Sequence, residues 1–131
     1  MGSDAGQIRW RAALAALAAL SGAAGVALAA VAAHRVAEPT LATAAQFLIL
    51  HAAAVTGLVA LAAGVIRPTL HLAAASIMLF GVVLFSGDIS ARVLLGGSLF
   101  PMAAPIGGSS MMLAWLIAAL ASAREFMTGR K

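Results

Sequence analysis

The stretch AALAALAALSGAAGVALAAVAA, residues 12–33, holds 22 residues without a charged side chain, between Arg11 on one side and His34-Arg35 on the other. A bilayer core about 30 Å thick is crossed by roughly 20 apolar residues in a helix, so this run alone predicts a transmembrane helix. Its composition says more than its length. Alanine is the best helix former but only weakly lipophilic, which suits a helix packed against neighbours better than one alone in lipid. Ser21 and Gly25, four residues apart, are small enough to let another helix approach closely.

Three further runs follow the same pattern. One spans 41–66 and is entered through Glu38-Pro39-Thr40, where proline fits the first helical turn because its missing N–H is not needed there. The next spans 70–91, apolar from Leu70 to Phe85 before Ser86-Gly87-Asp88. Residues 91–95 can prolong that helix until Gly96-Gly97 stops it, which leaves 98–104 as a short connector. The last spans 105–123 and ends before Arg124. The expected architecture is all-α: a single membrane domain over 1–131, folded as a four-transmembrane-helix bundle.

Composition supports this reading. Hydrophobic residues make up 63% of the chain and charged residues 9%, with a mean hydropathy of +1.07. A soluble domain carries about a quarter charged residues to face water. Four acids and eight bases cannot cover such a surface. A net charge of +4 and a pI near 11.6 would also suit nucleic-acid binding, but no basic stripe is interleaved with aromatics. Membrane topology explains the charge better. Arg9, Arg11, Arg67, Arg124, Arg130 and Lys131 fall on one side of the bilayer, against Arg35 and Arg92 on the other. The positive-inside rule then places both termini in the cytoplasm, as in a bacterial inner-membrane protein, with Trp10 at the inner interface.

Arg9 and Arg11 before an apolar run that closes on Ala30-Val31-Ala32-Ala33 also look like a secretory signal peptide. The run is longer than the usual signal core of about 7–15 residues, and cleavage would leave three spans and an extracytoplasmic N-terminus. An uncleaved first helix is favoured.

Polar groups inside a membrane are expensive, and each needs an explanation. Counting along antiparallel second and third helices from the Arg67-Pro68 turn puts His51 and Asp88 at similar depth in the outer half. If their faces converge, they can share a hydrogen bond or ion pair, with Ser86 nearby. The competing partner for Asp88 is Arg92, four residues on and on the same helical face. The plain alternative for His51 is an interhelical hydrogen bond to a hydroxyl or carbonyl. His34 and Arg35, at the outer end of the first helix, and His71, at the inner start of the third, read as interfacial residues.

Other chemistry finds no support. Without cysteine there is no disulfide framework or thiolate site. The three histidines lie at different heights, which does not suit a haem, and no His-Glu-x-x-His spacing suggests zinc. Gly107-Gly108-Ser109-Ser110 lacks the lysine of a phosphate loop and reads as a close-packed helix start. Met111 and Met112 read as core filler. No cofactor, metal or catalytic set is expected.

Four short motifs in order resemble a known family. They are Gly25 through Ala33-His34; Ala44-Ala45-Gln46-Phe47 followed by His51-Ala52; Phe85-Ser86-Gly87-Asp88; and Ala104-Pro105-Ile106-Gly107-Gly108 with Trp115. This order is similar to that of the bacterial membrane proteins called domain of unknown function 423, over about residues 20 to 122. The resemblance implies a four-helix integral membrane protein and brings no established activity. Leu48 stands where the family has a polar residue, Asp88 where it has serine, and Arg92 in an otherwise apolar stretch. That Asp88 and Arg92 depart together favours their pairing.

The expected role is non-catalytic: a small accessory or assembly subunit of a larger membrane complex, or a homo-oligomer. The alternative is a small proton or solute carrier using His51, Asp88, Ser86 and Arg92.

Overall fold

The structure, a computed structural model, describes residues 2–35 and 38–129; Arg130 and Lys131 of the basic count lie outside them. Its four helices are α1 (Gly2–His34), α2 (Pro39–Leu61), α3 (Pro68–Leu95) and α4 (Ala103–Thr128). All four are long and apolar enough to cross a membrane. With its 33 residues α1 is about 50 Å long, so its first turns, with Asp4, Arg9 and Arg11, extend beyond a hydrocarbon core about 30 Å thick.

The helix ends follow local chemistry. Pro39 opens α2, and the Glu38 carboxylate accepts from the Thr40 N–H at 3.3 Å and from its hydroxyl at 2.8 Å. α3 runs to Leu95 and stops at Gly96, which takes the left-handed conformation (φ 77) that glycine adopts without penalty. α2 is shorter than its apolar run. It ends at Leu61, not near 66, because the Ala63 and Gly64 N–H groups turn to the carbonyls of Ala60 and Leu61, a tighter pattern than the α-helix. Pro68 then disfavours helical backbone at Arg67 (φ −122, ψ 74).

α3 is the hub, packing along both α2 and α4 and touching α1, while α2 also lies against α1. No extensive packing joins α1 to α4, so the ring of helices stays open on that side. The core is built from Leu14, Val55, Leu58, Leu72, Met78 and Ala114 towards the chain ends, and from Leu48, Val82 and Met111 towards the other end.

Close approach rests on glycines. At the α3–α4 crossing, a Cβ on Gly107 would lie 2.6 Å from both the Gly81 carbonyl oxygen and the Phe85 nitrogen. One on Gly81 would lie 2.8 Å from the Gly107 oxygen. The two backbones are in direct contact there. At the α1–α2 crossing, a Cβ on Gly25 would meet Ile49 Cγ1 at 2.7 Å. Its companion is Gly22, facing the Ala52 Cβ at 3.6 Å, and not Ser21, which turns towards α3.

Hydrogen bonds fix the register. The Ser86 hydroxyl donates to the Ala44 carbonyl at 2.9 Å, tying α3 to α2. The Trp10 indole N–H donates to Ser76 Oγ at 3.0 Å, tying α1 to α3.

Gly107→Val should lower the melting temperature in mild detergent, at the usual overpacking cost of about 1–3 kcal/mol. Gly57→Ala should be neutral or slightly stabilising, since nothing lies within 4 Å of a Cβ there. Equal melting of both variants and the wild type would mean that the α3–α4 contact is absent.

Candidate functional site

The residues singled out for their polarity resolve into separate arrangements. The Ser86–Ala44 bond sets Asp88 level with residue 42 of α2. His51 therefore lies about nine residues, or roughly 14 Å, deeper along the bundle. The expected common depth is wrong because α2 stops at Leu61, ten residues beyond His51, whereas Asp88 lies 20 residues beyond Pro68 at the start of α3. The structure does not bring His51 and Asp88 together.

Asp88 is fully buried near the C-terminal end of α3. Its Oδ2 accepts from Arg92 Nε at 2.8 Å, the local pair expected from the four-residue spacing. Its Oδ1 accepts from the Leu99 N–H at 2.8 Å. A carboxylate in this position is held by the guanidinium and the 96–102 connector at once. Charge-assisted hydrogen bonds of this kind are stronger than neutral ones. Asp88 therefore anchors the connector.

His51 sits near the middle of α2 with both ring nitrogens engaged. The Trp115 indole N–H donates to Nε2 at 3.4 Å, so Nδ1 carries the ring proton and donates to the Phe47 carbonyl at 2.9 Å. Phe47 stacks on the ring at 5.5 Å with 16° between the planes, and Trp115 meets it edge-on at 6.2 Å. This is the interhelical hydrogen bond weighed for a membrane histidine. Its partner on α4 is an indole rather than a hydroxyl or carbonyl.

Ser86 is spent on Ala44, and its own carbonyl accepts from Ser90 at 2.6 Å. His34 and Arg35 are exposed at the end of α1. Among the described residues, no group of three His, Asp or Glu side chains could hold a metal ion.

His71 departs from its interfacial reading. It is fully buried, its Nε2 lies 3.5 Å from Ser122 Oγ, and its Nδ1 has no partner among the described residues. The spacing of His71 with Ala74, Ala75 and Met78 was the available sign, since these share one buried helix face. Nearby, Glu125 accepts from the Arg67 N–H at 2.9 Å and the Ile66 N–H at 3.3 Å, closing the α2–α3 turn from α4. Nothing in the local sequence around Glu125 marks that long-range contact.

Two apolar cavities of about 520 and 390 Å³ run along the α1–α3 side and share Leu17, Ser21 and Val83. Together they form one groove. Neither His51 nor Asp88 lines it. The Ser21 hydroxyl lies in it without a hydrogen-bond partner among the described residues.

A family model described as protein of unknown function (DUF423) matches residues 28–108, well over half of the chain. The chain belongs to this family. The DUF423 match runs from the last turns of α1 to the first turn of α4, so it contains Ser86, Asp88 and both glycines of the Gly81–Gly107 contact. Trp115, Ser122 and Glu125 lie beyond it. No curated protein and no solved structure matches the chain.

Asp88→Ala should raise hydrogen exchange at the Leu99 amide by about tenfold or more, because that N–H loses a charged acceptor. His51→Phe should leave the same amide unchanged. Equal loosening by both variants would show that the two sites are coupled after all.

Proposed function

We propose that this DUF423 member is a multi-pass protein of the bacterial inner membrane, with both termini in the cytoplasm, serving as a small accessory or assembly subunit of a larger membrane complex. The observation that carries this reading is the open side of the bundle. α1 and α4 are not packed together, and the groove between α1 and α3 leaves the Ser21 hydroxyl unpartnered against apolar walls. A hydroxyl facing hydrocarbon without a partner is costly, and small polar residues are the usual contact points between membrane helices. The fitting occupant is a transmembrane helix of another subunit or of a second copy.

The orientation is supported by basic residues. Arg67 and Arg124 line one cavity with Gln7 of α1, at the end opposite Arg92 and the connector. The positive-inside rule assigns that end to the cytoplasm. The carrier alternative loses its geometric basis, because His51 and Asp88 lie apart and each is occupied by its own partners. Reaction chemistry is not part of the proposed role, nor are a cofactor and nucleic acid.

Solubilised gently from native membranes, the chain should elute in an assembly well above a 13.0 kDa monomer in its micelle. Ser21→Phe should fill the groove and release it from that assembly while leaving its melting temperature unchanged. A solitary, monodisperse wild-type chain at native expression would contradict the reading.

A further inference from the structure

At the end of the bundle that carries both chain termini, a cavity of about 400 Å³ opens between the first turns of α1, the start of α3 and the last turns of α4. Its polar lining consists of Gln7, Arg67, Thr69 and Arg124, and no carboxylate lines it. Neither arginine has an ion-pair partner among the described residues, in contrast to Arg92 with Asp88. The acids nearby are otherwise placed. Glu125 lines an adjoining cavity of about 200 Å³ with the same two arginines, and turns its carboxylate to the Ile66 and Arg67 N–H groups there. Asp4, one turn before Gln7, is exposed and unpaired. One turn beyond Gln7, on the same face of α1, Arg11 has its Nε shielded from solvent with no partner.

We infer that this cavity binds a phosphate group, either free or as the headgroup of an anionic lipid. Two unpaired guanidinium groups on one cavity repel each other, and an oxyanion between them turns that repulsion into charge-assisted hydrogen bonds. Thr69 adds a hydroxyl and Gln7 an amide donor, which suits a ligand with several acceptor oxygens better than a simple halide. The start of α3 adds to this. No side chain caps the helix, so the Thr69 and Leu70 N–H groups, which have no intrahelical acceptor, are available beside the two arginines. Basic pockets between helices at the cytoplasmic surface bind anionic lipid headgroups for these reasons. A phosphate here would also tie α1 to α4, which the fold otherwise leaves apart.

The inference rests on the reading that this end lies at headgroup level, but not on the accessory-subunit role. The test uses the purified full chain, so a chain without partners can still bind. Melting is followed in neutral detergent with sodium phosphate against chloride of equal ionic strength, and in nanodiscs of phosphatidylglycerol against phosphatidylcholine. Stabilisation by phosphate in detergent identifies free phosphate as sufficient; stabilisation by phosphatidylglycerol alone identifies the lipid headgroup. In either case Arg67→Gln with Arg124→Gln should weaken apparent affinity about tenfold or more, the loss expected when charged hydrogen bonds are removed. Arg9→Gln, which removes one charge away from the cavity, should respond as the wild type does. The inference is overturned if neither source stabilises the wild type, if the double variant responds like the wild type, or if Arg9→Gln abolishes the response equally.

Discussion

The structure depends on the backbone contact between Gly81 and Gly107. In lipid, burying an apolar side chain against another helix gains little, because the lipid tails are equally apolar. Helices are joined instead by close approach and by polar contacts. Two glycines facing each other bring α3 and α4 to backbone contact, and Gly25 brings α1 close to the α2 backbone at Ala45 and Ile49. The alanines follow from the same constraint, since Ala44, Ala45, Ala74, Ala75 and Ala114 fill core positions where a larger side chain would push the helices apart.

Polar residues act as staples on this apolar scaffold, and each one is answered by a particular neighbour. Asp88 is the costliest, being a buried carboxylate. It is satisfied by Arg92 beside it and by backbone from the connector, so the turn between α3 and α4 folds onto α3 instead of standing free. Ser86 fixes α3 against α2, Trp10 fixes α1 against α3, and Glu125 closes the α2–α3 turn from α4. His51, with Phe47 and Trp115, joins α2 to α4 near mid-height. The exceptions among the described residues are Arg11 Nε and His71 Nδ1, which have no partner, and Ser21, whose hydroxyl lies in the α1–α3 groove without an answering hydrogen bond. A second copy or another subunit supplies one there in the proposed role.

Much of this was legible in the sequence, for physical reasons that also explain the failures. Four long uncharged runs, a proline at an N-terminus and a glycine at a C-terminus are local signals, and the helices and the Gly96 stop follow from them. The Asp88–Arg92 pair was equally local. What failed required tertiary geometry. An apolar run does not reveal that α2 tightens and ends at Leu61, and that error alone moved His51 to the wrong depth. The choice between Ser21 and Gly22 depends on which way α1 is rotated. The burial of His71 and the reach of Glu125 to Arg67 depend on the α3–α4 crossing, which no local pattern encodes.

The proposed role requires four membrane crossings, with both ends on one face and the 96–102 connector on the other. The chain has no cysteine, so single substitutions Asp4→Cys, Gly97→Cys and Gly129→Cys can be labelled one at a time with a membrane-impermeant thiol reagent. Position 97 should label in intact cells, and positions 4 and 129 only after the membrane is permeabilised. Labelling of position 97 from the same side as position 4 or position 129 would contradict the account.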